Sequence, residues 1–537
     1  MPMYETDVLV VGGGLAGLCA AISAASNMSK VMVATKTLVG AATTTSMAAG
    51  IISAVTSFSD GDSVEAHYDD TMKGGAFVND RALVRTMVND ASKYFSCLPS
   101  LGIEFEEERG APKVGFIPGH SKPRSYYIKG KGIRLQSALK KAAADLGITF
   151  LERALVTALV KDGDSAIGAV GVNTLTCEPF AIKAKATILA TGGPGEVYPY
   201  TLMPVGSTGY GCSLALRAGA ELVDMEFVQF YPTMTFGDGL PKVFIEYSTL
   251  LMNGADVINE EGVSIFKKAG IDEPWKLTRD AFSILIAKEM VGEGKERSVF
   301  LDCTTIPAER IRDDLILRNT VNDLESKHVP IRTKPFRVSP YAHFIMGGMR
   351  ADPDCKTLVP GLYAAGEAMG GTHGANRIGG NAFAAAMVFG FRSGLTASLH
   401  CGTVERGNAD AFHGPLFQLN EQMAAQGTTE ASKLKAEVQS EMWKNVGILR
   451  RRAGLENALL HFNALREIRP SSANPVEKLL MPMMLDTAEV IALSAMVREE
   501  SRGAHCRLDF PSANDAWRRR IKIRLEGGNC DVQLIDL

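Results

Sequence analysis

No two cysteines in this 537-residue chain form a CxxC pair; the nine, from Cys19 to Cys530, are scattered singly. That is the distribution of reduced thiols, and it excludes a disulfide framework, a zinc site and an iron–sulfur ligand set. No metal site is expected, so electrons that travel through metal clusters would do so in another subunit. Long hydrophobic runs are also missing: none approaches the roughly 18 residues a spanning helix needs. The N-terminus, MPMYETDVLVV, leads straight into a strand with no signal-peptide pattern. There is no excess of charge of one sign, with 57 Lys and Arg against 60 Asp and Glu. A net charge of −3 leaves no electrostatic footprint for nucleic acid or for an anionic membrane. Internal repeats and low-complexity tracts are absent too. A cytoplasmic protein is expected, peripheral to a membrane only through a partner subunit.

What is present is ordinary globular material: 46% hydrophobic and 22% charged residues, in a chain long enough for two or three domains. Residues 7–11, DVLVV, read as a buried parallel strand. The loop Gly12-Gly13-Gly14-Leu15-Ala16-Gly17 follows, then an alanine-rich helix to about Ala25 and a strand from Val31 to Ala34. That is a βαβ unit. Helix is expected over Ser63–Leu101 and Gly130–Leu146, and short strands over 149–190, ending in ATILATGG. Residues 236–335 are richer in charge, with helical periodicity near 280–293 and 308–325, and read as an inserted cap. From about 401 the chain reads as mostly helical, including Glu430–Asn445 and Thr487–Arg502, ahead of a basic-then-acidic tail.

A GxGxxG loop between strand and helix lets backbone amides approach a pyrophosphate at a helix N-terminus. Gly12, Gly14, Ala16 and Gly17 are its candidate residues. The acidic residue that commonly ends the second strand is replaced by Thr35-Lys36, which weakens a nicotinamide reading. A second glycine turn, Ala190-Thr191-Gly192-Gly193, closes a later strand. Glu367, in GLYAAGEA, is the candidate ribose ligand, since a carboxylate accepts from both ribose hydroxyls.

These segments carry a family resemblance. VVGGGLAGLCAA, ATGG (190–193), EFVQFYPT (226–233), PYAHFIMGGM (340–349), GLYAAGEA (361–368) and GTHGANRIGGN (371–381) resemble the flavoprotein subunit of fumarate reductases and succinate dehydrogenases. WKNVGILR (443–450) and EESRGAHCRLDFP (499–511) do so as well, and the chain is also similar to L-aspartate oxidase. The resemblance implies an α/β fold: a Rossmann-like FAD-binding domain in two parts (1–235 and 336–400), an inserted α+β capping domain (236–335) and a C-terminal helical domain (401–537). It implies FAD, with Thr35-Lys36 an acceptable variant and Arg377 and Asn381 in the flavin turn. Respiratory members bond the flavin covalently to a histidine in the stretch matching Thr43–Gly50. This chain has none there, so non-covalent FAD is expected, with a potential that favours substrate reduction. The C-terminal region resembles that of enzymes that dock an iron–sulfur subunit, and also that of soluble aspartate oxidase.

By the same resemblance His343 and Arg377 hold a substrate carboxylate and Arg279 donates the proton; His373 shapes the turn. The other side of the pocket departs from the family. Tyr231 replaces a histidine, Tyr247-Ser248 a threonine–glutamate pair, Leu251 a relay arginine, and Ile117 a substrate-reading glutamine or glutamate. The TGDG turn reads Thr208-Gly209-Tyr210-Gly211. One carboxylate clamp therefore survives. The expectation is an FAD-dependent enzyme acting on the CH–CH bond of a small carboxylic acid, reducing an α,β-unsaturated acid whose other end is aryl, alkyl or hydrogen-bonding. Ile117, Tyr231 and Tyr247 would choose that end, and Glu246 would resupply the Arg279 proton. The alternatives are a true fumarate reductase or succinate dehydrogenase, an L-aspartate oxidase, or a flavin-binding electron-transfer subunit without a substrate of its own.

Overall fold

The computed structural model describes residues 1–237, 239–291 and 297–537. The elements that frame the site are β1 (Val8–Val11), α1 (Leu15–Ser26), β2 (Val31–Thr35), β3 (Thr149–Glu152), β4 (Ala186–Leu189), β5 (Val228–Thr235), α2 (Arg279–Met290), β6 (Phe336–Ile345), β7 (Leu362–Ala364), α3 (Asn381–Cys401) and α4 (Pro475–Val497).

The β-branched runs form a five-stranded parallel sheet in the order β7–β4–β1–β2–β3. Val11 pairs with Leu189, and Leu189 with Ala364, so three strands end level with one another. The loops that follow them, 12–17, 190–193 and 365–368, therefore emerge side by side at the carboxyl edge, where open α/β sheets bind ligands. Helix α1 lies against α3 at glycine contacts: a Cβ on Gly390 would stand 2.6 Å from Ala16 O, and one on Gly394 2.1 Å from Ala20 O.

The cap is built on an antiparallel sheet in the order β5–β6–(Val299–Asp302)–(Asp256–Asn259). Its two long strands, β5 and β6, end at Thr235 and begin at Phe336, so they flank the segment read from composition as a cap, and the other two strands lie within it. Helix α2 packs on β5, where Ser283 Oγ donates to Phe230 O at 3.0 Å. Phe266, Phe282 and Leu301 lie in a separate cap core.

Several elements differ from the sequence reading. The stretch 63–101 is two helices, Val64–Gly74 and Arg81–Cys97, because Asp80 caps the second by accepting from Ala82 N and Leu83 N. The stretch 308–325 is likewise broken at Asp314, which caps Leu315–Ser326. Helix α2 ends at Met290; the expected extension over 292–293 lies outside the described residues. The helix expected over 487–502 is α4, which begins earlier and stops at Val497, since Arg498 turns extended and inward. The C-terminal part is not only helical: Arg519–Glu526 and Asn529–Asp536 form a hairpin that pairs with Leu222–Val223.

The expectation of no long apolar segment is also corrected. Helices α3 and α4 are 21 and 23 residues long, with mean hydropathy 1.3 and 1.5, enough by length and composition to cross a membrane. Most of each is buried against the rest of the chain, and the core helix of a soluble protein passes the same test.

A buried ionic network ties the C-terminal segment to the start of β5. Arg498 is fully buried; its Nε lies 2.7 Å from Glu226 and its Nη1 3.0 Å from Glu500. Arg502 binds Glu500 through two nitrogens, and Arg520 bridges Asp80 and Asp224.

Candidate active site

The glycine loop is built for close backbone approach. Gly12 has φ +117°, and a Cβ there would lie 2.2 Å from Ala190 O; one on Gly17 would lie 2.0 Å from Gly12 O. The Leu15 amide donates to Thr45 Oγ1 at 3.0 Å, whereas the amides of Gly13, Gly14, Ala16 and Gly17 donate to no protein group among the described residues. Free donors at the positive end of a helix suit a pyrophosphate. Gln136 Nε2 holds Gly13 O at 2.7 Å. Neither Thr45 nor Gln136 stands out in sequence, because each is an uncharged polar residue in a stretch without a motif.

Around this loop the other cofactor candidates divide by whether their polar atoms already have partners. Thr35 Oγ1 donates to Thr37 O at 2.7 Å and its methyl group packs against Gly13. The Lys36 ammonium donates to Gly206 O and lies over the Tyr210 ring; burial lowers its pKa to about 8. Thr43 caps the short helix Thr44–Met47 by accepting from Ser46 N. Gly50, at φ +75°, packs against Lys131. Thr191 Oγ1 is buried without a partner, beside Gly192 at φ +76°. Glu367 accepts from Ile345 N at 3.1 Å, and burial pushes its carboxyl up to about 7. A carboxyl has acceptor capacity beyond backbone amides and suits a donor such as a ribose hydroxyl. The Asn381 side chain is held by His67 (2.9 Å) and Thr71 (3.0 Å), so α3 has its N-terminal backbone left to offer. Unpartnered amides, the orphaned Thr191 hydroxyl and the Glu367 carboxyl make this groove a fit for a dinucleotide.

Beside it the structure brings together His343, Arg377 and Arg279. His343 is the extra residue of a β-bulge: Gln229 pairs with Phe344 and Phe230 with Ala342, which leaves His343 unpaired and turned out of the ladder. Burial, with Arg279 and Arg377 nearby, holds its pKa well below the usual histidine range, so the ring is neutral. Arg377 is buried on the turn before α3, with its guanidinium over the Phe344 ring and Nη2 2.9 Å from Gln229 Oε1. Burial and the charge on Arg279 disfavour its own charge. Arg377 Nε and Arg279 Nη1 are buried donors without partners, and neither arginine has a carboxylate partner among the described residues. A hydrogen-bond chain links the two arginines' elements: Arg377 to Gln229, Gln229 Nε2 to Asn376 Oδ1 at 2.6 Å, and Asn376 Nδ2 to Asp280 Oδ1 at 2.8 Å. Burial raises the Asp280 carboxyl. Gln229 and Asn376 lie inside motifs visible in sequence, yet carry no charge to draw attention to them. His373 packs edge-on against Phe344.

The far wall is aromatic. Tyr231 lies 5.6 Å from the His343 ring, 5.8 Å from Tyr247 and 4.1 Å from Phe244, centroid to centroid, with the Arg279 guanidinium 5.5 Å over its face. Ile117 reaches the same corner, since a Cβ on Gly379 would meet Ile117 Cγ2 at 2.7 Å and Arg279 Nη2 at 3.6 Å. Glu246 caps the helix Tyr247–Met252, accepting from Ser248 N and Thr249 N. Both of its oxygens thus have partners on its own element.

Comparison with known proteins agrees with this architecture. The FAD binding domain family matches residues 7–383, and the fumarate reductase flavoprotein C-terminal family residues 435–534. Among curated relatives, a fumarate reductase (CoM/CoB) subunit of Methanothermobacter marburgensis is 35% identical over 535 residues, covering 97% of each chain. The L-aspartate oxidase of Streptomyces coelicolor is 31% identical, covering 97% of this chain and 91% of that one. Among solved structures, Escherichia coli quinol fumarate reductase superposes with a TM-score of 0.89 at 26% identity, covering 100% of this chain and 97% of that one. Mycobacterium smegmatis Sdh1 in complex with UQ1 gives 0.89 at 29% identity, covering 100% and 95%.

Proposed function

Because this chain belongs to the flavoprotein family of fumarate reductases, succinate dehydrogenases and L-aspartate oxidases, and is an FAD-dependent oxidoreductase, we propose that it reduces the C=C bond of an α,β-unsaturated carboxylic acid. The supporting observation is the pair of orphan donors, Arg377 Nε and Arg279 Nη1, beside a neutral His343. Cationic groups with no protein anion are matched to an anion from outside.

In this reading the groove of Gly12, Gly14, Ala16, Gly17, Ala190, Thr191, Gly192 and Glu367 holds FAD non-covalently, as no histidine occurs in 43–50. Reduced FAD supplies a hydride. His343 and Arg377 bind the substrate carboxylate and stabilise the negative charge that builds on it as the alkene is reduced. Arg279 delivers the proton to the carbon next to the carboxylate, so one hydride and one proton saturate the bond, and it recovers a proton from solvent once the product has left. The cap that carries Arg279 excludes water from the reacting centre. The chain works in the cytoplasm, takes electrons from a separate iron–sulfur protein and reaches a membrane only through such a partner; the M. marburgensis relative is itself named as one part of a larger enzyme.

The test is anaerobic: dithionite-reduced holoprotein mixed with fumarate, acrylate, cinnamate and urocanate, following flavin reoxidation. Turnover of one or more is expected, and R279A should stop it while FAD stays bound. A flavin that none of the acids reoxidises, or R279A protein that turns over normally, would sink the reading. A second reading, reduction of fumarate itself with both carboxylates bound, is favoured by the name of the 35% identical relative.

A further inference from the structure

Binding a carboxylate in a closed pocket takes hydrogen-bond donors, and a hydroxyl has a single proton to give. On the wall opposite His343 and Arg377 those protons are spent. Tyr231 donates to Ile245 O at 3.0 Å and Thr233 donates to the same oxygen at 2.9 Å. Tyr247 donates to Leu277 O at 3.2 Å, and Ser248 Oγ donates to Glu246. Leu251 is 3% exposed, in the cap core. What remains toward the cleft is ring and hydrocarbon: Tyr231 and Tyr247, with Ile117 closing the corner beside Arg279. The Arg279 guanidinium is set over the Tyr231 ring face, an interaction that needs no anion.

Apolar surface continues outward from this wall. Phe244, packed against Tyr231 with the two rings tilted, is 43% exposed. Phe244 thus offers uncovered aromatic area next to a wall whose hydroxyl protons are spent.

We propose that the acid is a monocarboxylate whose far end is a flat apolar group, such as the aryl ring of an arylacrylate, packed on Tyr231, Phe244 and Ile117. This rests on the alkene-reduction reading above. A second carboxylate would lie against rings and hydrocarbon whose hydroxyl protons are spent, leaving only Arg279, the proton donor, to meet it, whereas an aryl group loses no hydrogen bond on entering. Tyr231 and Ile117 are then the residues that set specificity.

Stopped-flow reoxidation of the dithionite-reduced holoprotein by cinnamate and by fumarate, at equal concentrations, separates the outcomes. Cinnamate should react faster by at least about tenfold. Y231H and, independently, the loop substitution I117Q should each shift the cinnamate-to-fumarate ratio toward fumarate while FAD absorbance shows the fold intact. Fumarate faster in the wild type would overturn the monocarboxylate proposal and leave alkene reduction standing. Reoxidation by neither, with acrylate and urocanate also inert, would overturn both. A ratio that neither variant moves would overturn the assignment of Tyr231 and Ile117.

Discussion

Asn376 donates to Asp280 at 2.8 Å, which ties the turn carrying Arg377 to the cap helix carrying Arg279. Asp280 follows Arg279 directly, and Asn376 precedes Arg377, so one bond sets the spacing of two cations that repel each other. D280A removes the acceptor, whereas D280N keeps an oxygen in its place. The alanine variant should lose roughly 10–100-fold in reoxidation rate, as misplaced reacting groups do, and D280N should recover part of it. Equal rates in the wild type and D280A would show that the bond does not position the arginines.

Gly12 cannot carry a side chain. Its φ of +117° and the 2.2 Å separation from Ala190 O mean that G12A must displace β4 or the loop. The variant should purify with little or no FAD, read as the ratio of flavin to protein absorbance. Full flavin content would remove the loop from the cofactor site.

Arg498 sits without solvent between Glu226 and Glu500. R498A leaves Glu226 buried without its ion-pair partner while Glu500 keeps Arg502, and breaking such a buried pair costs about 3–5 kcal/mol. Thermal unfolding should begin several degrees lower in the variant, and an unchanged transition would show that the network contributes nothing.

Acid should destabilise the protein through its buried histidines. Burial lowers the pKa of His67 to about 3, His120 to about 4 and His373 to about 3, and His343 and His505 also lie well below the ordinary value of 6.5. Below pH 6.5 the unfolded chain binds protons that the folded chain refuses, so stability falls as pH drops toward 4. The slope is at most about 1.4 kcal/mol per pH unit for each such histidine. Glu367 acts oppositely: with its pKa raised to about 7, the folded state holds a proton between pH 4.5 and 7 that the unfolded state releases, a contribution that fades as pH rises. Urea midpoints measured from pH 7.5 to 4.5 should decline. A flat or rising series would contradict neutral burial of these rings.

Much of the cofactor domain was legible in the chain, because its signals are local. A β-branched run, a glycine loop and an alanine-rich helix each declare themselves within a dozen residues. Strand β5 ends at Thr235 and β6 begins at Phe336, either side of the segment read as a cap, and a shift in composition does not show that these flanking strands complete the cap's sheet. The terminal hairpin did leave a mark: RRIKIRLE alternates, with Ile521 and Ile523 inward, but its charge made it read as a tail. In the site, the ionisable residues His343, Arg377, Arg279 and Glu367 could be named from motifs. Gln229, Asn376 and Thr45 could not, because a neutral amide or hydroxyl shows its importance only through the atoms it touches.

The bulge at His343 lies on a strand that belongs to two bodies at once. Strand β5 ends at Thr235 and β6 begins at Phe336, so the pair stands where the cap segment leaves and rejoins the chain, and a swing of the cap about that pair would have it as an axle. Points on an axle travel least. His343 would thus keep its distance from the cofactor whether the cap is up or down.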